Sequence, residues 1–337
     1  MASSKITISV VIPVRDEEDS IRALIDSLLS QTLRPDEIVI TDGGSTDATP
    51  AIVDDYLRGG APINLIRAGA ALPGRGRNLA AAQASSEWIA FVDAGTRPES
   101  TWLESLAEPV LRQSDIDVVY GSYEPVTDTL FKECAAIAYV PPRVTANGAS
   151  MRTRSIVSAL MRRSVWLAVR GFPEDLRSAE DLLFLNKIDA GGFRITFAPR
   201  AIVHWNIQPT LWKTFRRFVI YSRFNIRAGL WHSWQAKIST RYGLLLLLAL
   251  CALFLGRLWL LLSVGLWLLM LAARAVVSIV RNSQSYPASL GRNLLRTIIL
   301  VPLLAVIDLA TIVGGIHWLL KDRTFLTSET TGVKNGA

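Results

Sequence analysis

The stretch from residue 243 to residue 320 constrains this chain most, because Leu, Val, Ile, Ala and Trp make up most of it. Hydrophobic runs of this length cross membranes as helices, since the bilayer core offers no water to satisfy exposed backbone groups. Residues 243–280 are longer than one comfortable span, and Gly256-Arg257 interrupts them near the middle. A hairpin of two short helices and one long tilted helix both fit this length.

A further span is predicted at residues 298–320, although Pro302 and Asp308 interrupt it. An acid inside an apolar span signals function or a buried pairing, and the sequence does not show its partner. The linker at residues 281–297 carries three arginines, Arg281, Arg292 and Arg296. The positive-inside rule favours a cytosolic linker, and therefore the hairpin and three spans in all.

A basic segment precedes the apolar block, and no acidic residue occurs between Asp189 and Asp308. Residues 210–237 alternate Trp, Phe and Tyr with Arg and Lys, which is typical of amphipathic helices in a membrane interface. The cations ahead of the block are Arg194, Arg200, Lys213, Arg216, Arg217, Arg223, Arg227, Lys237 and Arg241. This charge predicts contact with anionic lipid headgroups. Nucleic acid is disfavoured as a partner, because no nucleic-acid-binding motif accompanies the charge.

The first hundred residues alternate short β-branched apolar runs with helical patterns. The predicted strands lie at residues 6–14, 37–41, 63–67 and 88–92. The predicted helices lie at residues 18–31, 48–58 and 76–85. This alternation predicts an α/β fold with a doubly wound sheet, in which ligands bind at the carboxyl ends of the strands. Arg15-Asp16-Glu17, Asp42 and Asp93 all follow predicted strands.

The alternation weakens past residue 100. Short strands are predicted at residues 117–120, 193–197 and 201–204, and a helix at 180–190 opens with Glu180-Asp181. Residues 127–160 show no clear pattern and are interpreted as a mobile segment on the acceptor side.

Two cysteines, Cys134 and Cys251, lie far apart, and Cys251 falls in the apolar block. No disulfide framework is predicted, and a reducing compartment fits. The N-terminus opens directly into a strand, without the charged and apolar regions of a cleaved signal peptide. We therefore expect the N-terminal domain to be cytosolic.

A series of landmark segments follows along the chain. They are VVIPVRDEE (10–18), TDGGSTDAT (41–49), GRGRN (74–78), FVDAGTRPE (91–99), MRRSVWLAVRGF (161–172), SAEDLLF (178–184) and the strand that holds His204. In this order the set resembles a family 2 glycosyltransferase of the GT-A fold over about residues 6–230. It is similar to membrane-anchored bacterial enzymes that build exopolysaccharides or lipid-linked glycans.

The resemblance implies a nucleotide site and a single catalytic base. The positions that match nucleotide-binding residues are Pro13, Arg15, Asp16, Glu17, Asp42, Arg77, Asn78 and Asp93. Asp181 matches the general base of the family, with Glu180 beside it. Attack assisted by one base implies inversion at the anomeric carbon. Asp42 also suits a turn residue, and Glu180 a helix cap.

The chain departs from the family where the second acid of the Asp-X-Asp motif should stand, since it reads Asp93-Ala94-Gly95. The resemblance implies a divalent cation, Mg²⁺ or Mn²⁺, which we expect to be weakly held because Gly95 has no side-chain oxygen. Asp93 and His204 are its candidate ligands, although His204 fits a core histidine equally well. Arg217 and Arg223 are candidate contacts for a phosphate or the acceptor, or for lipid headgroups.

The function expected from the resemblance is non-processive transfer of one sugar from a UDP- or GDP-sugar to a lipid-linked acceptor, at the cytosolic face of an inner or plasma membrane. A processive polysaccharide synthase is the first alternative, but its usual Gln-x-x-Arg-Trp motif is missing after Gln208. A catalytically silent membrane scaffold is the second alternative, which Gly95 favours and Glu180-Asp181 disfavours.

These observations predict four parts of the chain. They are a GT-A catalytic domain at residues 1–209, amphipathic interfacial helices at 210–240, a transmembrane region of two to three helices at 241–322, and a polar, disordered tail at 323–337.

Overall fold

The computed structural model describes residues 6–146 and 148–322, so the predicted tail at 323–337 lies outside the described residues. The chain divides into two compact units. The first unit contains Met1–Val126 and Pro141–Asn206, and the second contains Thr127–Val140 and Ile207–Ala337. The boundary after residue 209 stays a prediction, but the structure assigns residues 127–140 to the C-terminal unit, which no local pattern indicated.

A mixed sheet of eight strands forms the centre of the first unit, with the order β3-β2-β1-β4-β9-β6-β10-β5. Its strands are β1 (Ile8–Val14), β2 (Glu37–Asp42), β3 (Ile63–Arg67), β4 (Trp88–Phe91), β5 (Thr96–Pro98), β6 (Val118–Pro125), β9 (Ala159–Arg162) and β10 (Ile195–Trp205). A separate hairpin joins β7 (Val144–Ala146) and β8 (Ala149–Met151). The expected doubly wound mixed α/β sheet is therefore confirmed.

Strand direction gathers the functional ends at one edge of the sheet. Strand β1 pairs in parallel with β2 and β4. Strand β9 runs antiparallel to both β4 and β6, so β6 points the same way as β4. The carboxyl ends of β1, β2, β4 and β6 consequently share an edge, as ligand sites of such sheets require.

The helices of the first unit connect these strands. They are α1 (Ile21–Leu29), α2 (Thr49–Arg58), α3 (Pro73–Gln83), α4 (Trp102–Arg112), α6 (Arg163–Ala168) and α7 (Glu180–Ala190). Helix α1 buries one face through Ile21, Leu24, Ile25 and Leu28, the 3.6-residue spacing read from the sequence. Helix α7 has the predicted bounds.

The structure differs from the prediction past residue 92. Strand β5 and helix α4 were not predicted, and residues 127–160 hold helix, hairpin and strand rather than a patternless segment. The two short strands predicted at 193–197 and 201–204 are one strand, β10, with an irregular register between Phe197 and Ile202. That irregularity breaks the alternation of side chains, and so hid the continuity of the strand.

The second unit consists of α5 (Leu130–Tyr139), α8 (Leu211–Arg227), α9 (Gln235–Leu255), α10 (Leu258–Arg281) and α11 (Leu290–Lys321). Within the described residues, α9, α10 and α11 are long and apolar enough to cross a membrane. The hairpin predicted for residues 243–280 is confirmed, because α9 ends at Leu255 and α10 begins at Leu258. Gly256 between them has a φ of +96°, which suits glycine.

Helix α11 begins at Leu290, earlier than predicted, and runs through Pro302 without ending. Arg292 and Arg296 therefore lie in this helix and not in the linker. Both pair with Glu133 of α5, and Arg296 donates from Nε to Glu133 Oε1 at 2.6 Å. Arg296 and Glu133 are buried, so this cluster anchors α5 to α11.

Asp308 has the buried partner that the sequence did not show. It is fully buried, and Arg274 of α10 pairs with both of its carboxylate oxygens, at 3.0 Å for Nη2 and Oδ1. The Tyr242 hydroxyl of α9 donates to Oδ2 at 3.1 Å and accepts from Trp267 Nε1 at 3.1 Å. One polar cluster thus ties the three candidate spans together.

Helix α8 packs along α11 through its buried residues, which include Phe218 and Ser222. Ser222 donates its hydroxyl to the carbonyl of Thr311 at 2.7 Å. A Cβ at Gly314 would lie 2.5 Å from the Val219 carbonyl oxygen, so glycine allows this close approach.

Candidate active site

Two carboxylates, those of Asp16 and Asp42, order the loops that follow β1 and β2. Asp42 ends β2, and its Oδ1 accepts from the Ser45 N–H at 3.0 Å and from the Ser45 hydroxyl at 2.6 Å. Asp16 follows β1, and its Oδ1 accepts from the Thr46 N–H at 2.8 Å. Asp42 is 5% exposed, and its Oδ2 makes no hydrogen bond among the described residues. That oxygen can accept from a base or ribose.

Backbone strain accompanies this loop pair. Asp16 has a φ of +54°, a left-handed conformation that Asp tolerates better than most residues. Arg15 beside it is exposed, and its Nε lies 3.7 Å from Asp16 Oδ2. Pro13 stands opposite Thr41 in the β1–β2 register. The structure thus places all of these predicted nucleotide-binding positions at one edge.

Glu17 lies beside the position that departs from the family. Its backbone N–H donates to Thr49 Oγ1 at 2.8 Å, and its carboxylate accepts from Ser20 at 2.5 Å. A Cβ built at Gly95 would lie 3.6 Å from Glu17 Oε2. Gly95 has a φ of +77°, where side chains are strained. The loop after β1 therefore brings a carboxylate next to the site where the second acid is missing.

A buried arginine joins two of the predicted acids. Arg77 of α3 is 4% exposed, and its Nη2 donates to Asp93 Oδ1 at 2.6 Å. Its Nη1 donates to Glu180 Oε1 at 2.8 Å. Arg77 Nε and Glu180 Oε2 are buried without hydrogen-bond partners among the described residues. The cluster therefore retains polar capacity that a ligand can satisfy.

Two glycines explain how α3 reaches this cluster. A Cβ at Gly74 would lie 2.0 Å from the Pro173 carbonyl oxygen, and one at Gly76 would lie 3.1 Å from Pro13 Cβ. The Gly-Arg-Gly-Arg segment therefore allows close packing. It does not have the three spaced glycines of a dinucleotide-binding motif.

Both ends of the Asn78 amide have protein partners, and its role as a nucleotide contact stays a prediction. Its Nδ2 donates to the Phe172 carbonyl and to Glu174, both at 2.9 Å. Its Oδ1 accepts from Trp166 Nε1 at 3.2 Å and from the Phe172 N–H at 2.9 Å. An amide side chain has two donors and one oxygen, and all are used here. Asn78 therefore holds the segment before α7.

The two carboxylates predicted to be catalytic, Glu180 and Asp181, open α7 next to a strained residue. Ala179, immediately before them, has a φ of +71°, which is rare for a residue with a Cβ. Burial raises the pKa of the Asp181 carboxyl, which the nearby Arg77 charge opposes and Asp93 reinforces. Burial also raises the pKa of Glu180, against the pull of Arg77. A raised pKa suits a carboxylate that must accept a proton.

His204 is placed at the carboxyl end of β10, but its Nε2 lies 3.0 Å from Glu99 Oε1. This pairing does not support His204 as a partner of Asp93 on a metal. In residues 6–146 and 148–322, no group of three or more His, Cys, Asp or Glu side chains is arranged to hold a metal ion. Glu17, whose carboxylate lies beside Gly95, is a further candidate ligand next to Asp93, since Mg²⁺ is typically bound by one or two carboxylates plus phosphates.

The two arginines suggested for phosphate or acceptor have partners within the second unit. Arg223 donates to both oxygens of Asp322 at 2.8 Å. Arg217 donates to the Tyr221 hydroxyl at 2.6 Å and lies over the Tyr221 ring.

The sequence analysis missed Tyr123, Glu124 and Arg152, because they fall in or beside residues 127–160, which show no clear pattern. The charge of Asp181 contributes to raising the pKa of Tyr123, whose main cause is burial. Arg152 is 1% exposed and donates to Glu124 at 3.4 Å. Glu124 lies near the carboxyl end of β6, whereas the predicted strand ended at residue 120. Extending that strand would have placed Glu124 at the edge of the sheet where ligand sites lie.

The mixed sheet with acids at the carboxyl ends of neighbouring strands, and the strained Glu-Asp start of α7, fit the GT-A fold. The fold agrees with the mannosyltransferase PcManGT from Pyrobaculum calidifontis, solved with GDP-Man and Mn²⁺, at a TM-score of 0.51 and 18% identity. That likeness covers 94% of this chain and 88% of the other.

Residues 9–165 match the family described as glycosyl transferase family 2, and this stretch of the first unit is therefore similar to a family 2 glycosyltransferase domain. The chain is 29% identical over 194 residues to the uncharacterized glycosyltransferase EpsJ of Bacillus subtilis, covering 52% of this chain. It is 29% identical over 201 residues, 56% of this chain, to the poly(ribitol-phosphate) β-N-acetylglucosaminyltransferase TarS of Staphylococcus aureus. The matched stretches span 54% of EpsJ and 33% of TarS.

Proposed function

We propose that this protein transfers one sugar from a nucleotide-diphosphate sugar to a hydroxyl of a lipid-linked acceptor, with inversion and without processive elongation. The observation that carries the proposal is the buried Arg77, which joins Asp93 at the end of β4 to Glu180 at the start of α7. This arrangement supports a donor-side role for Asp93 and a catalytic role for the start of α7, because one arginine holds both acids. A silent scaffold has no need of such a cluster, because buried charges are costly.

The donor binds over the loops after β1 and β2. Asp42 keeps a carboxylate oxygen for the base or ribose, and the strained Asp16 sets the shape of the loop. Donors with uridine or guanosine diphosphate both fit this description, and GDP-Man, found in the mannosyltransferase, belongs among those to test.

Asp181 is the base that removes the proton of the acceptor hydroxyl. Its raised pKa makes the carboxylate a better proton acceptor than an ordinary Asp. Because one base assists direct attack on the anomeric carbon, the configuration there inverts. Glu180, held by Arg77, positions the first turn of α7 for this step.

A divalent cation, Mg²⁺ or Mn²⁺, neutralises the leaving diphosphate when it is bound. Asp93 and Glu17 are the protein carboxylates that would hold it, with the donor phosphates as further ligands. Two protein carboxylates without a third acidic ligand predict weak binding in the absence of donor.

The second unit supports a reaction at a bilayer. Three of its helices suit spanning it, and exposed cations, Lys213 and Arg216 ahead of the spans and Lys237 in the first turn of α9, suit anionic lipid. We infer a multi-pass protein of the inner or plasma membrane, with the catalytic unit in the cytosol and no nucleic-acid partner. This anchoring supports a lipid-linked acceptor, because such an acceptor is held at the membrane.

The test is a screen of UDP- and GDP-sugars with the full chain in lipid nanodiscs and a membrane lipid extract as acceptor. We expect one donor to give a glycosylated lipid and a nucleoside diphosphate, each enzyme turnover adding a single sugar. Asp181→Asn serves as the inactive control. A folded protein that neither hydrolyses nor transfers any donor sugar would establish the scaffold instead, and products with long sugar chains would establish a processive enzyme.

A further inference from the structure

The second unit contains a cavity of about 390 Å³ among α8, α9 and α11. Its wall is mostly apolar and includes four aliphatic side chains, Ile226 of α8 with Ile312, Ile316 and Leu319 of α11. Its volume lies within the range of small-molecule sites. The wall therefore suits a hydrocarbon chain.

Two polar groups at the cavity have unmet hydrogen-bonding capacity. Gln235 lines the cavity and is 4% exposed, and its Nε2 donates to the Ser222 carbonyl at 3.4 Å. Its Oε1 is buried without a hydrogen-bond partner among the described residues, as is the Trp318 Nε1 that also belongs to the lining. An unpaired buried polar group is energetically costly, so one free acceptor and one free donor on residues that line the same cavity point to a ligand with a polar head.

These groups lie at one end of the candidate spans. Gln235 is the first residue of α9, and Trp318 lies in the last turn of α11. Trp is enriched at this depth, where hydrocarbon meets headgroups. The polar groups of the cavity are therefore at the level of a lipid head, and its aliphatic wall is beside them.

The charge at this end of the unit is positive. Asp322 donates its backbone N–H to the Trp318 carbonyl at 2.9 Å, which places it one turn beyond the cavity. Its carboxylate is shared by Arg223 and Arg227, and Lys321 precedes it. Three cations around one acid favour an anionic head over a neutral or cationic one.

We propose that this cavity binds the hydrocarbon chain of a single-chain lipid phosphate, with the phosphate held at the Gln235–Trp318 end. A phosphate oxygen accepts from Trp318 Nε1, and a protonated phosphate or attached sugar hydroxyl donates to Gln235 Oε1. The inference rests on the proposed function, because it identifies the lipid part of the acceptor. An ordinary two-chain phospholipid offers the same phosphate chemistry, and the experiment separates the two sources.

Gly315 supplies a variant that fills the cavity. A Cβ at Gly315 would lie 3.5 Å from Ile226 Cδ1, an ordinary contact, so Gly315→Leu extends a side chain into the cavity without a backbone clash. Gly265 of α10 is the matched control, because a Cβ there meets nothing within 4 Å. Gln235→Leu removes the free acceptor and keeps a side chain of similar size.

The measurement is photolabelling of the full chain in nanodiscs with a single-chain alkyl phosphate that carries a diazirine on its chain. We expect label in the α11 peptide around Ile312–Leu319, competed by unlabelled alkyl phosphate and not by excess phosphatidylglycerol. Gly315→Leu should reduce labelling about tenfold, the loss of about 1.4 kcal/mol, and Gly265→Leu should leave it unchanged. Gln235→Leu should give an intermediate loss.

Equal labelling by a diazirine-bearing phosphatidylglycerol, or competition by it, would show a groove for bulk lipid and overturn the proposal. Labelling that is unchanged in Gly315→Leu would overturn the proposal as well. Donor hydrolysis without acceptor, measured on the same samples, reports on the proposed function separately. If the wild-type protein hydrolyses no donor but is still labelled, the proposed enzymatic activity is rejected and the lipid site is kept.

Discussion

Arg77 donates a 2.6 Å hydrogen bond to Asp93, so the acid that follows β4 is tied to a buried cation on α3. The Arg77 guanidinium also lies 5.4 Å from the Phe172 ring centroid. Asp93 is thus held in one orientation before any donor arrives. Preorganised charge of this kind stabilises charge that develops in a transition state.

Arg77→Met should destabilise the protein and abolish transfer. It leaves Asp93 and Glu180 without their shared cation, and breaking a buried ion pair costs about 3–5 kcal/mol. Thermal unfolding and donor turnover measure the two effects. The double variant Arg77→Met, Glu180→Gln should recover part of the stability and none of the activity, while exposed Arg75→Met should change neither. Wild-type turnover in Arg77→Met would reject the cluster as catalytic.

Asp181→Asn should reduce transfer about a hundredfold or more, the scale of losing a general base, with donor binding kept. Asp189→Asn, at the other end of α7, is the control and should retain activity. Because the base acts when deprotonated, wild-type kcat should fall as pH drops through a pKa above the ordinary 3.8 of Asp. Near-normal turnover in Asp181→Asn would reject the assignment.

The same raised pKa has a consequence for stability. A carboxyl whose pKa is higher in the folded state stabilises the fold while protonated, and this stabilisation is lost as pH rises through the folded pKa. Asp181→Asn should therefore unfold at the same or a higher temperature than wild type at neutral pH, with a weaker pH dependence. This separates loss of the base from loss of the fold.

Activity should depend on Mn²⁺ or Mg²⁺ after EDTA treatment, and Glu17→Gln should weaken the cation. Mn²⁺ affinity measured by electron paramagnetic resonance with a bound nucleoside diphosphate gives a readout that is independent of turnover. Gly95→Asp should tighten Mn²⁺, whereas Gly95→Asn, with the same backbone strain and no charge, should not. We expect His204→Ala to leave the affinity unchanged, since His204 faces Glu99. Full activity in EDTA would contradict the cation.

The first unit and the α10–α11 linker should face the cytosol, with the α9–α10 turn outside. In a background without Cys134 and Cys251, we expect Arg257→Cys to react with an impermeant thiol reagent in intact cells. Ser114→Cys and Ser283→Cys, both at exposed positions, should react only after permeabilisation. Labelling of Ser114→Cys in intact cells would reverse the topology.

Removing one member of the Arg274–Asp308 pair should destabilise the second unit more than removing both. Asp308→Leu leaves an uncompensated arginine and should cost about 3–5 kcal/mol, and adding Arg274→Met should restore much of it. Thermal stability of the detergent-purified protein measures each variant, with Arg281→Met at the exposed end of α10 as control. Equal losses in the single and double variants would show that the two charges are not coupled.

Local patterns in the sequence determined the elements whose signals lie within one window. The bounds of α7, the first four strands and the helical hairpin of residues 243–280 follow from periodicity, strand-ending acids and a glycine break. Each of these signals depends on residues that are near one another along the chain, so no knowledge of the fold was needed. The order of the landmark segments along the chain likewise indicated the resemblance to family 2 glycosyltransferases without any knowledge of the fold.

Only the tertiary structure decided which side chains meet. Arg77 and Glu180 are 103 residues apart, and Asn78 accepts from a backbone N–H 94 residues away. The fold brings Arg77 and Glu180 together in the candidate site, and it ties Asn78 to the segment before α7. The partner of Asp308 and the pairing of His204 with Glu99 likewise depend on how helices and strands dock. Such contacts are set by strand order and helix packing over long separations, and a local window carries no information about either.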